Sequence, residues 1–273
     1  MADEPLLYDV ADHVATITLN RPERRNAISG GMLTQLAKRL QDADRSSDVR
    51  CIIVTGAEGG GFCAGLDLVD ATSGRGIGTG TDDDGNSSGG GGATSMQTRD
   101  LPTVVLFEID TPVIAAINGG AAGYGLDLAL GCDIRLMAES AKLAAAFTKR
   151  GVVPESGGTW YLPRLLGWGK AAELIYLGKT VLADEALDMG LVNAVVPDGE
   201  LMKTAQDWAQ QIAANAPIAV QSSKRLMRHG WTEDFQSHTH HVLLETMRLF
   251  GTKDFREGIT SFMEKRPANF TGR

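Results

Sequence analysis

The chain has 273 residues, of which 43% are hydrophobic and 22% are charged, so it can bury one large core. Its formal net charge of −8 argues against nucleic acid or an anionic membrane as a partner. No apolar run approaches the roughly 20 residues that span a bilayer. The three cysteines lack a paired spacing, which indicates a reducing compartment, so we expect a cytoplasmic protein.

The first part of the chain alternates predicted strands, turns and helices. Residues 13–20 (HVATITLN) alternate as a strand, and the turn RPERRNAISG precedes a helix that Ser29 caps. The run VRCIIVTG over residues 49–56 predicts a strand buried on both faces, and the glycine-rich turn EGGGFCAGLDL follows it. This order favours a layered α/β core with loops at the strand ends.

The middle of the chain changes character and then returns to the same pattern. Residues 71–95 are almost all glycine, serine, threonine and aspartate, which predicts a flexible insertion. A buried strand (TPVIAAINGG) and a helix beginning near Gly123 follow, then the strands DIRLMAE and VNAVVP. Beyond residue 198 the pattern is helical, with Pro217 at a helix start. We therefore predict an α/β core over residues 1–198 and a helical C-terminal region over residues 199–273.

Two glycine-rich turns share one form, in which a buried strand leads through glycines into a helix. They are CIIVTGAEGGGFCAGLDL and VIAAINGGAAGYGLDLAL. Glycine lets the backbone approach a ligand closely, and the first helical turn has N–H groups without an internal partner. Such groups can bind an anion or a developing negative charge, although glycines here can also be ordinary turn residues. Neither turn matches the dinucleotide-binding fingerprint.

Six stretches, in order, resemble the crotonase superfamily, also called the enoyl-CoA hydratase/isomerase superfamily. They are ITLNRPERRNAIS, IIVTGAEGGGFCAGLDL, PVIAAINGGAAGYGLDLALGCDIRL, GVVPESGGTWYLPRLLG, ADEALDMGLVNAVVP and FMEKRPANF. The resemblance implies an α/β spiral core of strand-strand-helix units with a C-terminal helical trimerisation region. It also implies an acyl-CoA substrate, no separate cofactor, no metal, and a homotrimer or dimer of trimers. An apolar stripe in the predicted tail helices needs such a partner surface.

The resemblance also assigns the groups that hold the thioester. Backbone N–H groups at Ala64 and Tyr124 would form an oxyanion hole, which stabilises the charge that develops on the thioester oxygen. Contacts to coenzyme A would come from the first two turns and from the last helix, where arginine suits the phosphates. These residues are Arg24, Arg25, Ala64, Asp67, Leu68, Phe262 and Lys265. The charged members could equally be solvated surface residues.

The candidate acids distinguish the branches of the family. Hydratases use two glutamates, and the resemblance puts Asp127 and Phe147 at those positions; phenylalanine cannot transfer a proton. Isomerases place a base in the turn that holds Glu155 (VVPESGGTW), a turn similar to that of members acting on aromatic-derived thioesters. We expect Glu155 to be the main base and Asp127 a second acid or proton relay. Phe147 and Trp160 would line the acyl pocket, and burial of Glu155 beside Phe147, Trp160 or the acyl chain would raise its pKa.

Several alternatives remain open. The protein could be a hydratase that uses Asp127 and Glu155, or a non-catalytic acyl-CoA binder. Glu155 could also merely cap a helix, and Asp127 could be a buried helix residue that pairs with a nearby donor. A hydrolase acting through Cys63 or Ser156 lacks a histidine placed in any motif. The cluster HTHH (His238, His240 and His241) has no cysteine or acid to complete a metal site, so we expect a polar helix face.

Overall fold

The computed structural model describes residues 4–67 and 101–273. The predicted insertion over residues 71–95 and the predicted coenzyme A contact Leu68 lie outside these residues. In the described part of the chain, no helix is long and apolar enough to cross a membrane.

The strands of the described residues fall into two sheets. In chain order they are β1 (Leu6–Ala11), β2 (Val14–Leu19), β3 (Cys51–Gly56), β4 (Val113–Ile117), β5 (Gly120–Ala122), β6 (Ile134–Ala138), β7 (Lys142–Ala144), β8 (Thr180–Leu182) and β9 (Ala194–Val196). The main sheet has the order β1-β2-β3-β4-β6-β9 and is parallel except for the β1–β2 pair. Every residue of β3 and β4 is buried, which confirms the predicted central strands.

The described helices include the predicted ones and several that the sequence pattern did not predict. They are α1 (Gly30–Arg45), α2 (Pro102–Glu108), α3 (Tyr124–Gly131), α4 (Gly158–Leu166), α5 (Trp168–Leu177), α6 (Ala183–Asp188), α7 (Leu201–Ala213), α8 (Pro217–Gly230), α9 (Phe235–Phe250) and α10 (Lys253–Glu264). Ser29 caps α1, because its Oγ accepts the N–H of Met32 at 3.3 Å. The helix starts predicted near Gly123 and at Pro217 are both confirmed.

The smaller sheet positions the two glycine-rich turns. It has the order β5-β7-β8, in which β5 and β7 are parallel and β7 and β8 are antiparallel. Cys63, in the first glycine turn, forms a parallel bridge with Ala121 of β5. The Cys63 N–H donates to Gly120 at 3.0 Å, and the Ala122 N–H donates back to Cys63 at 3.0 Å. These bonds draw the first glycine turn alongside the second.

The first helix beyond residue 198 belongs to the core. Four residues of α7 are buried, Leu201, Ala205, Ala209 and Ala213, and the helix lies across β2, β3, β4 and β6. A division at residue 198 therefore runs through the core. The following helix, α8, is tied to the segment before β4 by ion pairs from Arg225 and Arg228 to Asp110. Helix α9 packs on α8, and α10 on α9.

Candidate active site

The two glycine turns touch through backbone alone. A Cβ atom on Gly65 would lie 2.9 Å from the carbonyl oxygen of Ala122 and 3.6 Å from the nitrogen of Tyr124. A Cβ on Gly125 would overlap the carbonyl oxygen of Cys63. Gly65 also has a φ of +108°, which side chains of L-residues rarely allow. Glycine is therefore needed at both positions for this close approach.

The structure contradicts the predicted oxyanion donor at Ala64. The Ala64 N–H donates to the carbonyl oxygen of Arg25 at 3.0 Å and is not available to a ligand. That bond joins the first glycine-rich turn to the arginine-rich turn RPERRNAISG, in which Arg25 and Asn26 both have left-handed backbone angles. The buried Asn26 amide supports the turn by donating to the carbonyl oxygens of Ala57 (3.1 Å) and Gly61 (2.7 Å).

Leu66 provides the free N–H that the sequence prediction missed. The residues on either side of Leu66 are bonded to Ile28. The Ile28 N–H donates to the carbonyl oxygen of Gly65 at 2.9 Å, and the Asp67 N–H donates to the carbonyl oxygen of Ile28 at 2.9 Å. Within the described residues, the Leu66 N–H has no acceptor. Tyr124 is the first residue of α3, so its N–H has no acceptor within the helix either. Leu66 and Tyr124 thus present two unpaired backbone donors, one from each glycine turn.

Asp127 is fully buried one turn into α3. Its Oδ2 accepts the Ser156 N–H at 3.0 Å, which ties the turn that carries Glu155 to this helix. Its Oδ1 lies against Gly158 and has no well-aligned hydrogen bond in the part of the chain that the structure describes. Burial raises the pKa of Asp127 to about 7; the negative charge of Glu155 adds to the shift, and the Ser156 N–H opposes it. The carboxyl group can therefore hold or release a proton near neutral pH.

Glu155 lies in the turn before α4 and is exposed. The protein alone therefore does not bury this carboxylate, and its burial by the acyl chain of a substrate stays a prediction. Phe147 is buried, and Trp160 packs edge-on against Phe107 with ring centroids 5.2 Å apart. Trp160 also packs against Trp231 at 4.6 Å. Glu155 is left accessible to a ligand.

The residues predicted to contact coenzyme A from the first turns differ in accessibility. Arg24 and Arg25 are exposed on the loop that leads to α1, where they are free to meet phosphates. Asp67 is buried, and its Oδ2 forms a 2.9 Å ion pair with Arg21. Arg21 also donates to the carbonyl oxygen of Ala27 at 2.9 Å. The Asp67 carboxylate therefore supports the turn by binding Arg21.

The two C-terminal candidates lie at the surface. Phe262, on α10, is 82% exposed, and Lys265 follows directly after the helix with a φ of 55°. The chain beyond α10 folds back on this helix, since Asp254 accepts the N–H groups of Thr271 (2.7 Å) and Gly272 (2.8 Å). In residues 4–67 and 101–273, no backbone hydrogen bond joins Phe262 or Lys265 to the glycine turns.

The structure does not support a hydrolase that uses Cys63 or Ser156 as its nucleophile. Cys63 is fully buried, and burial raises the pKa of its thiol to about 12, so it stays protonated at neutral pH. Ser156 is nearly buried, and its N–H is bound to Asp127. The histidines of the HTHH cluster belong to α9, on the helical extension.

Two histidines of the HTHH cluster, together with His229 of α8, surround the carboxylate of Glu233. The Nδ1 atoms of His241, His238 and His229 lie 3.0, 3.4 and 3.5 Å from the oxygens of Glu233. Among the described residues, no group of three or more histidine, cysteine or acidic side chains has a geometry that could hold a metal ion. The cluster forms a polar surface at the α8–α9 corner.

Comparison with known proteins agrees with this geometry. Residues 9–273 match the family model described as enoyl-CoA hydratase/isomerase. The chain is 38% identical to the 1,2-epoxyphenylacetyl-CoA isomerase of Escherichia coli, covering 99% of both chains. It is 35% identical to the short-chain-enoyl-CoA hydratase of Clostridium acetobutylicum, covering 93% of this chain and 92% of that protein. The crystal structure of an enoyl-CoA hydratase from Bacillus anthracis superposes with a TM-score of 0.87 at 36% identity, covering 99% of this chain and 100% of that one. The chain therefore belongs to the enoyl-CoA hydratase/isomerase family, the crotonase superfamily, whose enzymes act on CoA thioesters.

Proposed function

We propose that this protein moves a carbon–carbon double bond within an enoyl-CoA thioester, with Glu155 as the base. The observation that carries the proposal is an accessible Glu155 on a turn tied to the start of α3, together with the buried Phe147 at the second acid position of hydratases. One accessible base is enough to move a double bond, whereas water addition in this family uses two acids.

The reaction divides into two proton transfers. Glu155 removes a proton from the α-carbon of a 3-enoyl thioester, and the electron pair moves through the conjugated system onto the thioester oxygen. The N–H groups of Leu66 and Tyr124 stabilise that oxygen, and each such donor typically contributes about 3–4 kcal/mol. The protonated Glu155 then returns the proton to the γ-carbon, which leaves a 2-enoyl thioester.

Asp127 is the second acid or proton relay in this proposal. It lies on the same helix as the Tyr124 donor and near enough to Glu155 for the two charges to interact. With a pKa of about 7, part of its population carries a proton at neutral pH and part does not. It can therefore exchange a proton with Glu155, directly or through a water molecule, between turnovers.

Solvent exchange at the acyl α-carbon tests the role of Glu155. We expect the wild-type enzyme to incorporate deuterium from D2O at that carbon, as measured by mass spectrometry. The Glu155→Gln variant should lose both exchange and isomerisation by about 10²–10⁴-fold, the contribution of a general base. Glu139→Gln, at an exposed glutamate outside the site, is the matched control. Full exchange and turnover in Glu155→Gln would exclude Glu155 as the base.

A hydratase that uses Asp127 and Glu155 is the second candidate. It is favoured by the charge interaction between these two acids and by the hydratase named among the relatives. Addition of water to crotonyl-CoA, followed by the loss of its conjugated absorbance, separates the two reactions. Rapid hydration that depends on both acids would support the hydratase. Stoichiometric acyl-CoA binding without any α-proton exchange would instead indicate a non-catalytic binder.

The assembly follows from the apolar surface of the helical extension. Large apolar side chains are exposed there, among them Leu243, Met247, Phe250, Phe262 and Met263. An exposed apolar surface of this kind favours association, and from the family resemblance we infer that the assembly is a homotrimer or a dimer of trimers. In such an assembly, Phe262 and Lys265 can reach the coenzyme A of a neighbouring subunit. Light scattering after size exclusion measures the mass directly. We further propose a cytoplasmic enzyme whose only coenzyme is the CoA of its substrate.

A further inference from the structure

A separate apolar cavity lies among α2, α4, α8 and the C-terminal end of α3. Its volume is about 230 Å³, and its apolar wall includes Leu106, Phe107, Leu130, Tyr161, Met227 and Trp231. This volume is below the usual range for drug-sized ligands, so it suits a small molecule. The unpaired donor of Tyr124 lies at the opposite end of α3, so the cavity differs in position from the thioester site.

The charged side chains of the cavity leave one positive charge uncompensated. Lys224 is paired with Asp133 at 2.8 Å, and Arg228 with Asp110 at 3.0 Å. Arg135 is 7% exposed, and in the described part of the chain no carboxylate oxygen lies within 4 Å of its guanidinium group. A buried charge without a partner is costly, so this cation favours an anionic ligand.

Two hydrogen-bond donors at this cavity also lack acceptors. The Arg135 Nε donates to Leu191 at 2.9 Å and its Nη1 donates to Cys132 at 2.6 Å, whereas Nη2 has no acceptor in the described chain. The Tyr161 hydroxyl likewise makes no hydrogen bond to the described residues. Both side chains line the cavity. The cavity therefore combines apolar walls with two free donors.

We propose that this cavity binds a small organic carboxylate with a flat apolar body, whose carboxylate accepts hydrogen bonds from Arg135 Nη2 and the Tyr161 hydroxyl. The apolar part lies against the side chains of Phe107, Met227 and Trp231. Pairing a buried guanidinium with a carboxylate gives a charge-assisted hydrogen bond, and the phenol adds a second donor. This site is independent of the proposed isomerisation.

A matched pair of ligands tests the charge requirement in the wild-type protein. Benzoate and benzamide have the same shape, but only benzoate is anionic at pH 7.5. We expect saturable binding of benzoate by titration calorimetry, with a change in the tryptophan fluorescence of the protein, and binding of benzamide at least about 10-fold weaker. Equal binding of the two ligands, or no binding of benzoate, would overturn the proposal.

Variants locate the binding site. Tyr161→Phe removes only the unpaired hydroxyl and should weaken benzoate binding about 3- to 10-fold. Met227 lies at the rim of the cavity and is largely exposed, so Met227→Trp should obstruct the opening and weaken binding at least about 10-fold, whereas Tyr176→Trp, at an exposed position of α5, should leave binding unchanged. Unchanged binding in Met227→Trp, or displacement of benzoate by crotonyl-CoA, would place the ligand elsewhere and refute the assignment. Arg135 itself is left intact, because it supports two backbone carbonyl groups.

Discussion

Replacing Gly125 by alanine tests the contact between the two glycine turns. The added Cβ would overlap the Cys63 carbonyl oxygen and lie 2.8 Å from the Cys63 Cβ. Ordinary carbon–carbon contacts begin near 3.5 Å. The turns must therefore separate by at least about 0.7 Å, which moves the Leu66 and Tyr124 N–H groups apart.

The expected loss of rate follows from the role of these two N–H groups in stabilising the thioester oxygen. A misplacement of about 1 Å near the chemistry can lower the rate about 10²-fold, and loss of one oxyanion donor lowers it about 10²–10³-fold. We expect Gly125→Ala to reduce kcat for a 3-enoyl-CoA by about 10²-fold, with a smaller change in KM because coenzyme A binds mainly through other groups.

Gly120→Ala is the matched control. Gly120 lies in β5, five residues away, and an added Cβ there meets no atom within 4 Å. Both variants should be assayed spectrophotometrically at equal folded concentration, as verified by circular dichroism and thermal unfolding. If folded Gly125→Ala keeps more than half of the wild-type kcat, or if Gly120→Ala loses as much, then the contact between the turns does not set the donor geometry.

Two further predictions concern stability. The pKa of Asp127 is raised from 3.8 to about 7 in the folded protein. The folded state therefore keeps a proton that the unfolded state releases, and Asp127 costs roughly 4 kcal/mol of stability as pH rises from 4 to 7. Asp127→Asn cannot ionise, so its unfolding free energy relative to wild type should grow over this range; a difference that does not vary with pH would contradict the shift. Asn26→Ala removes three hydrogen bonds in a buried turn and should lower the unfolding free energy in urea by about 3 kcal/mol, whereas a loss below about 0.5 kcal/mol would show that water replaces the amide.

The sequence predicted the elements around the site better than it predicted individual hydrogen bonds. Strand runs such as residues 49–56 are specified by local composition, and the structure confirms them. In the first glycine-rich turn, the hydrogen bond from Ala64 to Arg25 decides which N–H is free, and these two residues are far apart in the chain. No local pattern reports such a contact, so Leu66 was missed.

The exposure of Glu155 could not be predicted for a similar reason. Aromatic neighbours in the sequence suggested a buried carboxylate, but Trp160 lies on α4 and turns toward Phe107 and Trp231. A side chain in the first turn of a helix can point away from a residue in the preceding loop, even though the two are close in the sequence. The sequence left open a buried Asp127 that pairs with a nearby donor, but the donor itself, Ser156, lies 29 residues further along the chain and is identified only by the structure.

The Asp127–Ser156 hydrogen bond links the two halves of the proposed chemistry. Helix α3 carries both Asp127 and the Tyr124 donor, while Ser156 directly follows the proposed base, Glu155. One carboxylate therefore sets the distance between the oxyanion donors and the base. A Cβ atom on Gly158 would collide with the Asp127 Oδ1, so helix α3 and the turn of Glu155 lie close together here. This arrangement favours a single-base isomerisation, in which the accessible Glu155 transfers the proton and the fully buried Asp127 relays it, over a water addition that needs two acids open to the substrate.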